Sequence, residues 1–136
     1  MTNTSKAAFT LKDYSVNNFS FKNLYAQSDE LELNFEPKGI FNSNSGEYIL
    51  VLNFEASENN EVLFKTEIQG NFQIVDVQTK ESIPEFFYNN AIAILFPYLR
   101  AYLSSITLQA NVRLLILPTL NLSALAPILK ENTKVN

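Results

Sequence analysis

The sequence predicts an α+β domain in which a four-stranded antiparallel sheet, a meander or Greek-key-like arrangement, precedes a long kinked helix and a short C-terminal helix. Three observations carry that expectation. Between residues 31 and 74 apolar and polar side chains alternate with a period of two, as in strands with one wet face. From Asn89 to Ala110, NNAIAILFPYLRAYLSSITLQA, apolar residues recur at spacings of three and four. The helical pattern arrives only after the strands, which argues against an alternating α/β fold. With 136 residues, no repeat and no linker-like stretch, residues 1–136 read as one domain.

The opening strand is irregular: Phe9 and Leu11, then Val16, Phe19 and Phe21, with the pattern breaking near Asp13 to Ser15. In the second strand Leu31, Leu33 and Phe35 alternate with Glu30, Glu32, Asn34 and Glu36. The third, Glu47 to Ser57, places Tyr48, Leu50, Leu52 and Phe54 on one side. Its other side carries Ile49 and Val51 before turning polar at Asn53 and Glu55. Ser57 to Asn60, SENN, signals a turn. In the fourth strand Val62, Phe64, Thr66 and Ile68 alternate with Leu63, Lys65, Glu67 and Gln69. Gly70 interrupts before Phe72 and Ile74 resume, which predicts a bulge or bend there.

Along the helix Ile92, Leu95, Phe96, Leu99, Leu103 and Ile106 form a wide apolar face. Pro97 lies inside it, where a proline costs roughly 3 kcal/mol in an ordinary helix, so the LFPY tetrapeptide must bend or be held by packing. The polar side is thin, with Arg100 and Gln109 as its long polar residues. So apolar a helix needs cover on more than one side, and these six residues are the expected oligomer-interface helix. The uncharged run from Phe86 to Leu99 is shorter than a bilayer span and contains Asn89, Asn90 and Pro97, which favours a buried helix. An apolar stretch, Val112 to Leu117, is closed by Pro118. Asn121 or Ser123 then caps a short helix, LSALAPILKEN, with Leu122, Leu125, Ile128 and Leu129 on one face and Pro127 weakening it. Residues 132–136 read as a frayed tail.

Composition narrows the function. A net charge of −4, with ten scattered basic residues, argues against a nucleic-acid partner. Without histidine or cysteine there is no Ser-His-Asp or Cys-His site, no thiolate zinc site and no disulfide framework. Three dispersed glycines do not make a phosphate-cradling loop. Glu30, Glu32 and Glu36 share a strand face and read as a solvated surface rather than an acid–base pair. No enzyme, cofactor or metal is expected. A polar N-terminus broken by Asp13 lacks the apolar core of a signal peptide, and a cysteine-free chain suits a reducing compartment, so a cytoplasmic location and no membrane insertion are expected.

What remains unusual is a surplus of large apolar side chains: eleven Phe and six Tyr exceed what one small sheet and two helices plausibly hide. Ile49, Val51 and Leu63 place apolar groups on both faces of the sheet, so cover on both faces is expected. A permanent core or oligomer interface and a groove for extended apolar peptides both fit. A plain scaffold or adaptor remains the alternative to a peptide binder.

Three stretches, EVLFKTEIQGNF at Glu61 to Phe72, NNAIAILFPYLRAYLSSI at Asn89 to Ile106 and LPTLNLSAL at Leu117 to Leu125, make the chain resemble the SecB family of bacterial export chaperones. ILFPYLR is the most specific of these, and a weaker F-x-L opening near Phe9 extends the resemblance over nearly the whole domain. The resemblance implies a homotetramer, a dimer of dimers with the long helices sandwiched between sheets. It also implies an ATP-independent holdase for unfolded polypeptides, acting in protein export and translocation by hand-over to the SecA motor. The peptide groove implied is Leu31, Leu33 and Phe35, with a lid formed by Leu122, Leu125, Ile128 and Leu129. At the family's acidic motor-docking surface two first-strand acids align with Asn18 and Lys22, Lys65 replaces an apolar residue, and Glu67 keeps the acidic character. A neutral or basic patch there weakens docking onto a basic partner segment, which favours other clients, such as one dedicated antitoxin.

Overall fold

A computed structural model describes residues 9–22, 31–112 and 115–136. Glu30, Arg113 and Leu114 of the strand and post-helix patterns lie outside the described residues. The elements are β1 (Phe9–Phe21), β2 (Glu32–Phe41), β3 (Glu47–Glu58), β4 (Glu61–Ile74), α1 (Glu85–Gln109), α2 (Leu125–Glu131) and β5 (Thr133–Val135). A single 3₁₀ turn, Lys80–Ser82, precedes α1. The class is α+β as expected, but the sheet has five strands in the order β1-β4-β3-β2-β5 and is mixed. Strands β2, β3 and β4 follow one another through hairpins and β1 pairs antiparallel beside β4, a Greek-key order. The terminal residues correct an expectation: instead of fraying, β5 pairs parallel with β2 at Gly39, Ile40 and Phe41.

Local chemistry explains most of this. The SENN turn is a two-residue hairpin in which Asn59 and Asn60 both take positive φ, 51° and 64°, and asparagine tolerates that region better than most residues. Irregularity in β1 resolves into two bulges, between Leu11 and Asp13 and between Val16 and Asn18. They bring Phe9, Leu11, Tyr14, Val16, Phe19 and Phe21 opposite the inward-facing residues of β4. No bulge occurs at Gly70, which pairs in register with Tyr14 and Leu50. The glycine is there because a Cβ would stand 3.1 Å from Leu95 Cδ1, where α1 presses on the sheet. The register shift of the β3–β4 ladder lies instead between Ala56 and Ser57.

One face of the sheet carries the core. Tyr48, Leu50, Leu52 and Phe54 of β3 and Phe64, Ile68 and Phe72 of β4 are buried against Phe87, Ala91, Ile92, Leu95, Leu99 and Leu103 of α1. Pro97 sits on the exposed side of α1, and the helix runs unbroken through it. The helix begins at Glu85, earlier than the apolar pattern suggested, after Pro84 fixes the entry backbone. It ends in a Schellman closure: Asn111 takes φ 56°, its N–H donates to Leu108 and that of Val112 to Thr107. By length and hydropathy α1 would suffice to cross a bilayer, yet here it is the core helix of a sheet. Among the described residues no element covers the opposite sheet face. It is a ladder of polar groups, Asn17 to Glu67 and Gln69, Gln69 to Asn71 and Asn71 to Asp13, beside half-buried Ile49 and Val51.

At the C-terminal end the Thr133 hydroxyl donates to the Leu129 carbonyl at 2.7 Å. Its single proton being used, the Tyr48 hydroxyl donates to Thr133 Oγ1 at 2.6 Å. Gly39 makes this reach possible, because a Cβ there would meet Tyr48 Oη at 1.9 Å. Burial pushes the Tyr48 phenol well above its ordinary value of 10.0, against a smaller lowering by the bond to Thr133. A phenol raised in the folded state stays neutral after the unfolded chain has ionised, so its stabilisation is full below pH 10 and declines as pH climbs past it. Gly39→Ala is expected to cost about 3 kcal/mol in urea unfolding, and Tyr48→Phe about 1 kcal/mol. Tyr48→Phe should also flatten the loss of stability above pH 10.

Candidate functional site

Among the described residues the N-terminal half of β2 has no strand on its outer side. Leu33 and Phe35 stand opposite Ala56 and Phe54, on the core side, and are half-buried. Phe35 packs on Phe54 and Phe96, with ring centroids 5.1 and 6.0 Å away, so the middle of α1 leans on this strand. Leu31 precedes the strand and packs on the same cluster.

A second layer returns over β2 from the far end of α1. Thr107 donates to the Leu103 carbonyl and accepts the N–H of Leu115 at 3.0 Å, turning the chain back. Leu115 and Leu117 are buried while Ile116 is exposed, the alternation of an extended segment lying on the core. The segment must run back along α1, because α2 docks at the first turn of that helix through Lys130 and Glu85. Its end is α2, which starts after Ala124 without a side-chain cap; Asn121, one of the two expected caps, instead accepts the N–H of Ser123. Lys80, Glu85, Ala126, Pro127, Lys130 and Glu131 line an open depression beside it. Among the described residues no acidic group gathers for a metal ion.

The expected groove residues therefore separate into two kinds. Leu31, Leu33, Phe35, Leu122 and Leu125 are half-buried at the margin of the core, and Ile128 is 42% exposed. Leu129 corrects the expectation: fully buried, it anchors α2 rather than lining a lid. The expected interface helix is corrected more deeply. Ile92, Leu95, Phe96, Leu99 and Leu103 are buried against this chain's own sheet, and Ile106 is half-buried. The side of α1 left free carries Phe86, Ala93, Ile94, Pro97, Ala101 and Leu108, with Leu108 69% exposed. Between Phe86 and Gln109 its one charged residue is Arg100. That face went unread because the spacing argument picks out the stronger stripe; the thin polar side was its signal. Next to it Tyr98 stacks on Tyr14 at 4.4 Å.

Asn18, Lys22, Lys65 and Glu67 do gather at one end of the β1–β4 pair: Asn18 stands opposite Glu67, and Lys65 opposite Ser20. The two lysines are paired locally. Lys22 pairs with Glu61 at 3.4 Å, Lys65 with Glu55 at 3.5 Å, and Glu67 accepts from Asn17. Exposed pairs of this kind contribute little to stability, and Glu67, bonded among the described residues only to a neutral amide, keeps its charge. Deeper in, the Tyr88 hydroxyl is buried without a hydrogen-bond partner among the described residues. Burial first, then the charges of Glu85 and Glu81, raise its pKa.

Comparison with known proteins gives consistent results. The family model described as "Preprotein translocase subunit SecB" matches residues 4–128. A protein of Methanocaldococcus jannaschii described as uncharacterized protein MJ0357 is 28% identical over 141 residues, covering 96% of this chain and 90% of that one. Among solved structures, the SecB-like chaperone Rv1957 of Mycobacterium tuberculosis, in complex with a ChAD peptide from the Rv1956 HigA1 antitoxin, superposes with a TM-score of 0.66 at 17% identity. That match covers 84% of this chain and 91% of the other. A Streptococcus agalactiae protein of unknown function superposes with a TM-score of 0.53 at 10% identity over 82% of this chain and 97% of its own.

The division between anchor and margin is open to measurement. Leu129→Ala should lower stability by about 2–5 kcal/mol in chemical unfolding, whereas Ile128→Ser should stay within about 0.5 kcal/mol.

Proposed function

This chain belongs to the SecB family, and on that premise we propose that it is an ATP-independent holdase that shelters extended segments of non-native polypeptide at the β2 margin. The supporting observation is that Leu31, Leu33 and Phe35 at the β2 end and Leu122 and Leu125 of the returning segment are each half-buried at the margin of one core. Apolar burial at about 25 cal/mol per Å2 is non-directional, so such a margin accepts many sequences without reading one. Nucleotide chemistry has no part in it.

Delivery to SecA is not part of the proposal. Of the positions that would dock a basic motor segment, Asn18 is neutral and Lys22 and Lys65 are cations paired with Glu61 and Glu55, which weakens the attraction that speeds and strengthens such encounters. The same observation favours a more specific version, a chaperone dedicated to one client such as an antitoxin. Rv1957, solved with an antitoxin peptide, is a precedent for that arrangement in this fold.

The free face of α1 accounts for assembly in this proposal. Phe86, Ile94 and Leu108 flank small residues and Pro97 on a flank almost without charge, which suits the packing of a second copy and a homotetramer in the cytoplasm.

Two measurements check these statements. At stoichiometric amounts, and without ATP, the chain should suppress aggregation of an unfolded model client, and Leu122→Ser with Ile128→Ser should lose most of that effect while keeping the far-UV spectrum. Unchanged aggregation would remove the general holdase and leave the dedicated client, tested by binding an antitoxin peptide. In native mass spectrometry the wild type should be a tetramer and Ile94→Glu with Leu108→Glu a smaller species.

A further inference from the structure

The chain's last residues, expected to fray, are instead where α2 is fastened. Strand β5 follows α2 after a single residue, Asn132, so the two form one short unit. Its fastenings are mostly polar. Gly39 donates its N–H to the Asn132 carbonyl at 3.3 Å, and Asn136 donates to the Phe41 carbonyl at 2.8 Å. Asn132 Nδ2 donates to the Pro37 carbonyl at 3.2 Å, and Lys80 Nζ to the Thr133 carbonyl at 2.6 Å. Lys130 meets Glu85 at the surface, with both side chains more than half exposed. Within the unit Leu129 is the one fully buried apolar side chain, while Lys134 and Val135 of β5 are exposed.

Such a unit is shallowly held. A seven-residue helix with no side-chain cap and Pro127 in its first turn, joined to a three-residue strand, has little stability of its own. Each surface hydrogen bond exchanges readily for water. Two further observations concern the seam between α2 and α1. The open depression between Glu85 and Lys130 shows that α2 does not lie flush against the first turn of α1. One turn after Glu85, Tyr88 packs its ring 6.4 Å from that of Tyr48, and its buried hydroxyl has no hydrogen-bond partner among the described residues. An unpaired buried hydroxyl disfavours the closed arrangement, and access to water relieves it.

We propose that β5 is a latch on the β2 margin: α2 and β5 leave the sheet together in a local opening that spares the rest of the fold, and closure of the latch holds client binding down. This rests on the holdase reading above and names how access to that margin is regulated. Opening uncovers Leu129 and the Tyr48 hydroxyl next to the half-buried Leu125, which extends the apolar surface that a non-native client meets. A client bound there selects the open form, so its apparent affinity scales with the fraction of molecules that are open.

The chain has no cysteine, which allows a unique lock. Ile40 and Lys134 are exposed register partners on β2 and β5, so Ile40→Cys with Lys134→Cys ties the latch shut when oxidised and frees it when reduced. Two readouts use the full chain: amide hydrogen exchange, and anisotropy of fluorophore-labelled, reduced and carboxymethylated lysozyme. In the wild type the Gly39, Asn132 and Asn136 amides should exchange together, slower than Leu33 and Phe35 but about a hundredfold or more faster than Leu52 in the central strand. Oxidation should slow those three amides and weaken client binding about tenfold, with full recovery on reduction. Lys80→Met, which removes one fastening outside the margin, should speed the three amides and tighten client binding severalfold with Leu52 unchanged. Exchange of the three amides only with global unfolding overturns the latch. Equal client binding by the oxidised and reduced forms also overturns it and spares the holdase. No client binding by the wild type or by either redox form overturns both.

Discussion

The placement of the chain's C-terminal end rests on a close approach at Gly39, over which the Tyr48 hydroxyl passes to Thr133. Thr133 in turn holds the last carbonyls of α2 through Leu129, and Lys80 donates to the Thr133 carbonyl at 2.6 Å from the other side. With the chain end pinned to β2, α2 is fixed above the sheet. The extended segment from Leu115 onward then has one route, back along α1. Along that route Leu115 and Leu117 are buried in the core, and Leu120, Leu122 and Leu125 remain half-buried at its margin. The same pin limits β5 to the residues after Pro37.

Much of the fold was legible in the residues. The period-two alternation of β2 to β4, the Asn-Asn turn and the apolar stripe of α1 each arise from local steric and burial rules that one chain suffices to reveal. The order of strands before helices gave the α+β class, and the family resemblance added an expected groove. Three things escaped, for physical reasons. The tail TKV is too short and polar for a propensity signal, and only its partner strand makes it β. Gly70 looked like a bulge because sequence does not tell a glycine that bends a strand from one that admits a helix. The stripe of α1 was assigned to a neighbouring subunit because composition cannot say which of two apolar faces the chain's own sheet takes.

Aromatic surplus explains why the misjudgement arose. Phe54, Phe64, Phe72, Phe87, Tyr48 and Tyr88 are all but removed from solvent within one chain, through edge-on contacts such as Tyr48–Phe87 at 4.7 Å and Phe9–Phe87 at 4.9 Å. A single subunit therefore hides more than its size suggests. What it leaves open is more specific: one helix flank with few charges, a half-strand of β2, and an outer sheet face where Lys22 and Lys65 are paired with Glu61 and Glu55. The proposed holdase needs an apolar margin that stays reachable, and an edge position at the end of the sheet suits that need without disturbing the core.

Amide hydrogen exchange at single-residue resolution tests the central claim most directly. In the free protein the Leu33 and Phe35 amides should exchange quickly and Gly39 slowly. On adding an unfolded client, Leu33 and Phe35 should become protected together with Leu122 and Leu125. Protection appearing on the outer face around Lys65 and Glu67 while Leu33 and Phe35 stay fast would contradict it.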